Sequence, residues 1–185
     1  MKFVFRTDAN EKIGIGHVMR CLSLAEALQE KGHDCVFAMQ TISDLLTNKI
    51  ISSGHELNIL ATPHTYSASI EPANNESQIL AKNQIADANV FLSSIKGAKP
   101  EWIIVDHYAL NRDWHKCVQP YCNNLMVIDD LANNEMHCQA LLNQNLWAKS
   151  FHYSELSPNT RKLMIGPKYA LLRKEFSSAR SASLK

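Results

Sequence analysis

Short apolar runs alternate with longer segments of helical periodicity along this chain, and this alternation strongly limits its possible folds. Helical spacing starts at His17, ends at a glycine cap, Gly32, and returns over 42–53, 77–96 and 111–118. Because parallel strands need helical crossovers, we expect an α/β fold, a Rossmann-like parallel sheet with helices on both faces. The predicted strands are residues 2–7, 34–39, 56–60, 102–106 and 125–128, with shorter candidates at 141–142 and 163–165.

The composition indicates one globular domain and argues against several functions. The chain has 185 residues, of which 45% are apolar and 20% charged, enough for a single domain with a real core. A formal net charge of +1 argues against strong nonspecific binding to nucleic acid or to a membrane. No apolar run approaches the ~20 residues of a membrane span. The polar residues 61–76 predict a long loop.

The first residues and the cysteines both favour the cytoplasm. Arg6 and Asp8 stand where a signal peptide needs apolar residues, so export is not expected. The five cysteines are an odd number and include no C-x-x-C pair. That pattern is typical of free thiols in a reducing compartment.

Ligands of parallel α/β sheets bind beyond the carboxyl ends of the strands. That rule brings three segments of this chain to one edge of the sheet: 8–17, 106–110 and 129–131. The first of them holds the turn Gly14-Ile15-Gly16-His17 at the start of a helix. Glycines allow positive φ and a close approach to a ligand, and a helix start favours an anion.

His17 is the candidate general base of this turn. The positive end of the helix disfavours an imidazolium, so a neutral imidazole that can accept a proton is expected there. The alternative is a tight turn in which His17 only caps the helix. The three-glycine dinucleotide fingerprint is absent, because Arg20 occupies its third position, and an NAD or FAD site is not indicated.

The other candidates at this edge leave alternatives open. Tyr108, after the strand 102–106, can hydrogen-bond and pack against a sugar, or can lie in an ordinary turn. The pair Asp129-Asp130 suggests acid–base chemistry, but aspartates are also common in turns and caps, which we favour here. Arg6 and Asp8 either pair with each other or face a ligand. A metal site built from Asp106, His107 and His115 lacks a recognised spacing and is not expected.

Several strings in this sequence resemble the PseG family, the nucleotide-sugar hydrolases of pseudaminic acid biosynthesis. They occur in the family's order over nearly the whole chain, which makes them far more specific than one Gly-x-Gly. They are residues 3–8 (FVFRTD), 13–17 (IGIGH), 19–25 (MRCLSLA), 105–108 (VDHY), 128–132 (IDDLA), 142–145 (LNQN), 166–173 (GPKYALLR) and 175–176 (EF).

The resemblance implies hydrolysis of UDP-2,4-diacetamido-2,4,6-trideoxy-β-L-altropyranose to UDP and the free sugar. That sugar is a precursor for the glycosylation of flagellins and surface polysaccharides. The family pattern makes His17 the general base for an inverting attack by water, with no metal and no cofactor. It places Tyr108 in the active site, and it implies that the pocket around the substrate is formed by Gly14, Ile15 and Gly16. Arg6, Asp8 and Asn145 are further expected substrate contacts.

The same resemblance implies a two-domain GT-B architecture, like that of the transferase MurG, of which this chain is the N-terminal half. We expect residues 1–174 to form that domain and 175–185 a helical tail leading toward a second domain that is absent here. The second domain holds most of the nucleotide contacts, so little hydrolysis by this chain alone is expected. The exposed cleft face could then support self-association.

Two other functions remain open at this point. One is a GT-B glycosyltransferase half, in which His17 deprotonates a sugar hydroxyl instead of water. The other is a non-enzymatic domain that binds the nucleotide sugar and keeps the fold.

Overall fold

The computed structural model describes residues 1–9, 14–61, 83–97 and 99–176, which are organised around one parallel sheet. Its strands are β1 (Lys2–Thr7), β2 (Asp34–Met39), β3 (Glu56–Ile59), β4 (Trp102–Asp106), β5 (Asn124–Ile128), β6 (Ala140–Asn143) and β7 (Lys162–Ile165). Within the described ranges the seven strands run in the order β3-β2-β1-β4-β5-β6-β7, and every neighbouring pair is parallel. The predicted Rossmann-like α/β fold is confirmed.

Helices connect the strands and cover both faces of the sheet. The α-helices are α1 (Gly16–Gln29), α2 (Asp44–Ser52), α3 (Gln84–Ser94) and α4 (Arg112–Val118). Short 3-10 helices occupy Gln119–Tyr121, Ser150–Tyr153 and Pro167–Tyr169.

Two apolar clusters, one on each face of the sheet, explain why the central strands are continuously apolar. Along β4, Ile103 and Val105 pack into a cluster with α3 and α4. Ile104, between them, packs on the opposite face in a cluster with α1 and α2. Alternate side chains of a strand point to opposite faces, so a strand buried on both sides needs apolar residues throughout. Full burial of such a side chain contributes about 1.5–3 kcal/mol.

The end of α1 follows the prediction from Gly32. Gly32 has φ +77, and its N–H donates to the carbonyl of Gln29 at 2.8 Å. The N–H of His33 donates to the carbonyl of Leu28 at 3.2 Å, which completes a Schellman cap.

Some predicted boundaries are wrong by a few residues. The helix expected at 42–53 starts at Asp44, because Ser43 is extended (φ −82, ψ 155) and serves as its N-cap. The strand expected at 56–60 ends at Ile59, although the N–H of Leu60 still donates to Met39 at 2.7 Å. The helix expected at 77–96 is observed as α3, and its predicted first residues, 77–82, lie outside the described residues.

Two predicted features fall largely outside the part of the chain that the structure describes. The predicted loop 61–76 is described only at residue 61, and the predicted tail 175–185 only at its first two residues. In the described ranges, no helix is long and apolar enough to cross a membrane.

Candidate active site

The candidate site lies where the strand order of the sheet reverses. The chain moves outward from β1 through β2 to β3, then crosses to β4 on the other side of β1 and continues to β7. The carboxyl ends of β1 and β4 flank this switch point, where Thr7 is in register with Asp106. Proteins of this architecture bind ligands at such a point. The turn that contains His17 lies at the start of α1, the first helix after β1 in the chain.

The glycines of this turn have different conformations. Gly14 has φ +78, in the left-handed region that favours glycine, as the sequence predicts. Gly16 does not have a positive φ, so that prediction is wrong for this residue: Gly16 is the first residue of α1, and helical backbone needs negative φ. Ile15 lies between them with 60% of its surface exposed.

His17 is held in a defined orientation by Asp106. Its side chain lies at the carboxyl edge of the sheet and is 8% exposed. The ring Nδ1 lies 2.6 Å from Oδ1 of Asp106. Two unprotonated acceptors would repel each other at that distance, so we assign the proton to Nδ1, which donates it to the carboxylate. The neutral ring then carries its lone pair on Nε2.

Arg20, one helical turn after His17, holds the same carboxylate by two hydrogen bonds. Its Nε donates to Oδ2 of Asp106 at 2.5 Å, and its Nη2 donates to Oδ1 at 2.5 Å. Burial alone would raise the pKa of the Asp106 carboxyl, but the hydrogen bonds from Arg20 and His17 outweigh it and lower this pKa. Asp106 is therefore an anion that can only accept hydrogen bonds, which supports the tautomer assigned to His17.

Asp130, in the loop after β5, collects three donors from different elements. It forms an ion pair with Nη1 of Arg20 and accepts from the hydroxyl of Tyr108 at 2.8 Å. Its other oxygen accepts from Nδ2 of Asn145 at 2.9 Å. Tyr108 and Asn145, both expected near a substrate, therefore meet at a carboxylate for which the sequence favoured a turn role over acid–base chemistry.

A closed circuit of contacts results, which we call the His17 circuit: His17, Asp106, Arg20, Asp130 and Tyr108. The Tyr108 ring contacts the His17 ring edge-on, with ring centroids 4.4 Å apart and an interplanar angle of 78°. Burial and the hydrogen bond to Asp130 raise the pKa of Tyr108, so its hydroxyl stays protonated. Tyr108 is 38% exposed, so the circuit reaches the protein surface.

Arg6 and Asp8 form a separate, buried cluster, and their expected contact with a substrate stays a prediction. Arg6 is 0% exposed and pairs with Asp8 at 2.8 Å and with Asp87 of α3 at 3.0 Å. Asp8 also accepts from the backbone N–H groups of Gln40 and Thr41 at 2.6 and 3.2 Å. Their hydrogen-bonding capacity is used inside the protein. The sequence left two possibilities open, that Arg6 and Asp8 pair with each other or that they face a ligand. The structure shows the pair.

The remaining polar residues at this edge have structural partners. Asp129 accepts from the backbone N–H of Ala132 and from the hydroxyl of Tyr153, both at 2.7 Å, as the turn interpretation predicts. His107 lies 3.2 Å from Asp8, while His115 is fully buried elsewhere. Among the residues that the structure describes, no group of three or more His, Cys, Asp or Glu side chains could hold a metal ion.

Arg20 is the residue that sequence reasoning missed; Asp130 was considered for acid–base chemistry but favoured as a turn residue, and Asp106 was considered only as a possible metal ligand. A usable signal existed for Arg20, because residues three apart on a helix share a face, which places Arg20 beside His17. No local signal exists for the pairing of Asp130 with Arg20, since the two residues are 110 apart in the chain.

Comparison with known proteins finds relatives that match nearly all of this chain. No protein-family model matches this sequence. The chain is 30% identical over 176 residues to the UDP-2,4-diacetamido-2,4,6-trideoxy-beta-L-altropyranose hydrolase of Campylobacter jejuni, which covers 95% of this chain and 53% of the hydrolase. It is also 25% identical to an uncharacterized protein of Methanocaldococcus jannaschii, over 100% of this chain and 33% of that protein. The chain thus spans about half of the first relative and a third of the second.

Proposed function

We propose that this chain supplies the general base of a nucleotide-sugar hydrolase that acts on UDP-2,4-diacetamido-2,4,6-trideoxy-β-L-altropyranose. The similarity to the hydrolase of Campylobacter jejuni supports the substrate class. The observation that carries the proposal is the 2.6 Å contact between Nδ1 of His17 and Asp106, which leaves Nε2 as the basic nitrogen. In this proposal residues 1–174 are the N-terminal half of a GT-B enzyme.

The reaction needs one proton acceptor and no redox chemistry. A water molecule attacks the anomeric carbon, and its proton passes to Nε2 of His17. The bond between this carbon and the diphosphate oxygen breaks, its electron pair leaves with UDP, and the configuration at the carbon inverts. The Asp106 carboxylate stabilises the imidazolium that forms, because the two charges share a hydrogen bond. Arg20 keeps that carboxylate ionised and in place.

The start of α1 is proposed to stabilise the charge that develops on the leaving group. Its N-cap, Ile15, offers no side-chain hydrogen bond, and no acidic residue lies in the first turn. The first backbone N–H groups of a helix lack intrahelical partners and favour an anion. Gly14 and Gly16 leave this backbone open on the ligand side, since a Cβ at either position would meet nothing within 4 Å. Tyr108 and Asn145 are proposed to contact the sugar.

The test is UDP release from this nucleotide sugar by the longest polypeptide that carries these residues. His17→Gln is compared with His33→Gln, which changes a histidine just before β2, at the opposite edge of the sheet. We expect the His17 variant to lose ~10²–10⁴-fold in turnover, the usual contribution of a general base. His33→Gln should keep its turnover. A loss under about tenfold for His17→Gln contradicts the proposal.

A second experiment concerns the 185 residues alone. We propose that they form one wall of the cleft and hydrolyse the nucleotide sugar poorly without the remaining length found in the relative. UDP release by the isolated chain at the rate of the longer protein contradicts this point. Analysis of the sugar product separates hydrolysis from transfer, since a hydrolase gives the free sugar and a transferase a new glycoside.

A further inference from the structure

The hydrogen-bonding direction of Tyr108 is fixed by the protein. The Asp130 carboxylate pairs with the Arg20 guanidinium, so it acts only as an acceptor of hydrogen bonds. The hydroxyl of Tyr108 is therefore the donor in its 2.8 Å contact with Asp130, and its oxygen keeps lone pairs for another donor. Tyr108 is exposed and its ring contacts the His17 ring, so it lies beside the proposed base.

The side-chain amide of Asn145 is oriented by two acceptors. Its Nδ2 donates to Oδ1 of Asp130 at 2.9 Å and to Oδ1 of Asn143 at 3.0 Å, so both amide hydrogens are used inside the protein. Exchanging the nitrogen and oxygen of this amide would place an oxygen against both acceptors, which excludes that orientation. Within the described part of the chain, Oδ1 of Asn145 accepts no hydrogen bond. It is not one of the buried polar atoms without a partner, so it is open to solvent.

The orientation of Asn143 follows from a chain of contacts that ends at a second carboxylate. Tyr153 donates its hydroxyl hydrogen to Asp129 at 2.7 Å, and its oxygen accepts from Nδ2 of Asn143, also at 2.7 Å. The other atom of that amide, Oδ1, accepts from the backbone N–H of Asn145 at 2.9 Å. Because the chain has a carboxylate at each end, Asp129 and Asp130, each amide between them has one permitted orientation.

Tyr108 and Asn145 consequently present acceptors to a ligand. We call these two atoms the acceptor pair: the hydroxyl oxygen of Tyr108 and Oδ1 of Asn145. Both side chains bind the Asp130 carboxylate, one at each oxygen, so the acceptor pair can contact the same sugar. The start of α1 has the opposite polarity, because its first backbone N–H groups are donors. A diphosphate offers only acceptors, so it suits the start of α1 and not the acceptor pair.

We propose that the acceptor pair binds a hydrogen-bond donor of the glycosyl group, a hydroxyl or an amide N–H, and that Asp130 is the positioning residue that sets this polarity. The opposite polarities orient the substrate, with a donor of the sugar ring toward Asp130 and the diphosphate toward α1. A sugar that carries only an acceptor at that position is bound poorly. The inference rests on the proposed function for the presence of a nucleotide sugar next to His17.

The first test needs no ligand and uses NMR of the side-chain amides in the 185-residue chain. Both Nδ2 hydrogens of Asn145 should exchange with water at least about tenfold more slowly than those of the exposed Asn123, because both are hydrogen-bonded. In Asp130→Leu this protection should be lost for at least one of the two hydrogens. The amide of Asn143, bonded to Tyr153, reports an intact fold in that variant. Exchange as fast as that of Asn123 in the unchanged chain contradicts the inference.

The second test compares three sugars by NMR titration of the same chain, each as its methyl glycoside so that the anomeric oxygen carries no donor. The parent is 2,4-diacetamido-2,4,6-trideoxy-L-altrose. One analogue carries fluorine in place of the hydroxyl at C3, and the other carries methyl groups on both amide nitrogens. We expect one analogue to bind about tenfold more weakly than the parent, and its identity tells whether the donor is the hydroxyl or an N–H.

Asn145→Leu separates recognition from a structural role. Leucine is similar in size to asparagine but has no acceptor, so the variant should lose about tenfold in affinity for the parent sugar and little for the weaker analogue. The difference between the two sugars should therefore disappear. A purely structural role would weaken binding of all three sugars equally. Asn123→Leu, at the opposite edge of the sheet, is the control and should keep the full difference.

Four results of the titrations would overturn the inference: equal affinity for the three sugars, a difference that persists in Asn145→Leu, an equal loss for all sugars in that variant, or no binding up to the solubility of the parent. These outcomes are separate from the test of His17. UDP release with equal affinities removes the acceptor pair and leaves the hydrolase. Selective binding without UDP release removes the hydrolase and leaves a sugar-binding site.

Discussion

Two arginine–aspartate clusters lie side by side at the carboxyl edge of the sheet, and they differ in their access to solvent. In the first, Arg6 pairs with Asp8 and Asp87, and all three side chains are nearly or fully buried. In the second, Arg20 pairs with Asp106 and Asp130, and Asp130 is 19% exposed. Each cluster has one cation and two carboxylates in its core, so charge count alone does not distinguish them.

The difference lies in what each cluster holds. The Arg6 cluster joins β1 to α3 and accepts a hydrogen bond from the indole of Trp114 at 2.7 Å, within the core. The Arg20 cluster holds two groups that a ligand can reach, the His17 ring and the exposed Tyr108. We infer that the first cluster maintains the fold and that the second orients the side chains that carry out the proposed chemistry. The predictions below test that division, beginning with the largest expected effect on stability.

Replacing the buried guanidinium should have the largest effect. Arg6→Met leaves Asp8 and Asp87 without their cation in the core, and breaking a buried pair in this way costs about 3–5 kcal/mol. We expect the free energy of unfolding in urea to fall by that amount. A loss below about 1 kcal/mol would mean that this cluster is no more important than a surface ion pair.

Arg20→Met should affect stability less and catalysis more. One of its two carboxylates, Asp130, is 19% exposed, so we expect a smaller loss than for Arg6→Met, about 1–3 kcal/mol in the free energy of unfolding. In the longer polypeptide, turnover should fall at least about tenfold, because Asp106 loses the contacts that orient His17. Arg20→Lys keeps the charge but not the two-pronged geometry, and should recover stability better than turnover. Equal recovery of both would indicate a purely structural role.

The relation between sequence and structure differs for these two clusters as well. The strands, the start of α1 and the Gly14 turn follow from local patterns, because apolar period and glycine conformation act over a few residues. The ion pairs depend on side chains far apart in the chain: Asp87 is 81 residues from Arg6, and Asp130 is 110 from Arg20. Local periodicity carries no record of such pairings, so the sequence left the roles of Arg6 and Asp130 open and missed Arg20.

The pH dependence of stability should reveal the buried cluster. Burial alone would raise the pKa of the Asp8 carboxyl, but Arg6 and His107 outweigh it and lower this pKa. A carboxyl with a lowered folded-state pKa stabilises the protein above its unfolded value of about 3.9, and this contribution is lost as the pH falls toward the folded value.

Asp8→Asn removes that contribution. Its deficit in the free energy of unfolding should be largest above about pH 5 and should shrink as the pH falls below about 4. The exposed Asp113→Asn is the control and should show little deficit at any of these pH values. A deficit for Asp8→Asn that stays constant with pH contradicts the role assigned to this carboxylate.

Tyr108→Phe should have the smallest effect on stability. It removes one hydrogen bond from a partly exposed hydroxyl, so the free energy of unfolding should change by about 0.5–1.5 kcal/mol. Turnover of the longer polypeptide should still fall, because the phenol closes the His17 circuit next to the proposed substrate. Unchanged turnover would place Tyr108 outside the site.

The central claim is that His17 donates from Nδ1 to Asp106 and keeps a free lone pair on Nε2. Long-range ¹H–¹⁵N NMR of the imidazole nitrogens tests it directly in the neutral form of the ring. The His17 signals are assigned by their loss in His17→Gln. The account predicts a protonated Nδ1 and an unprotonated Nε2. A proton on Nε2 and none on Nδ1 would contradict it, because Nε2 could not then accept a proton from water.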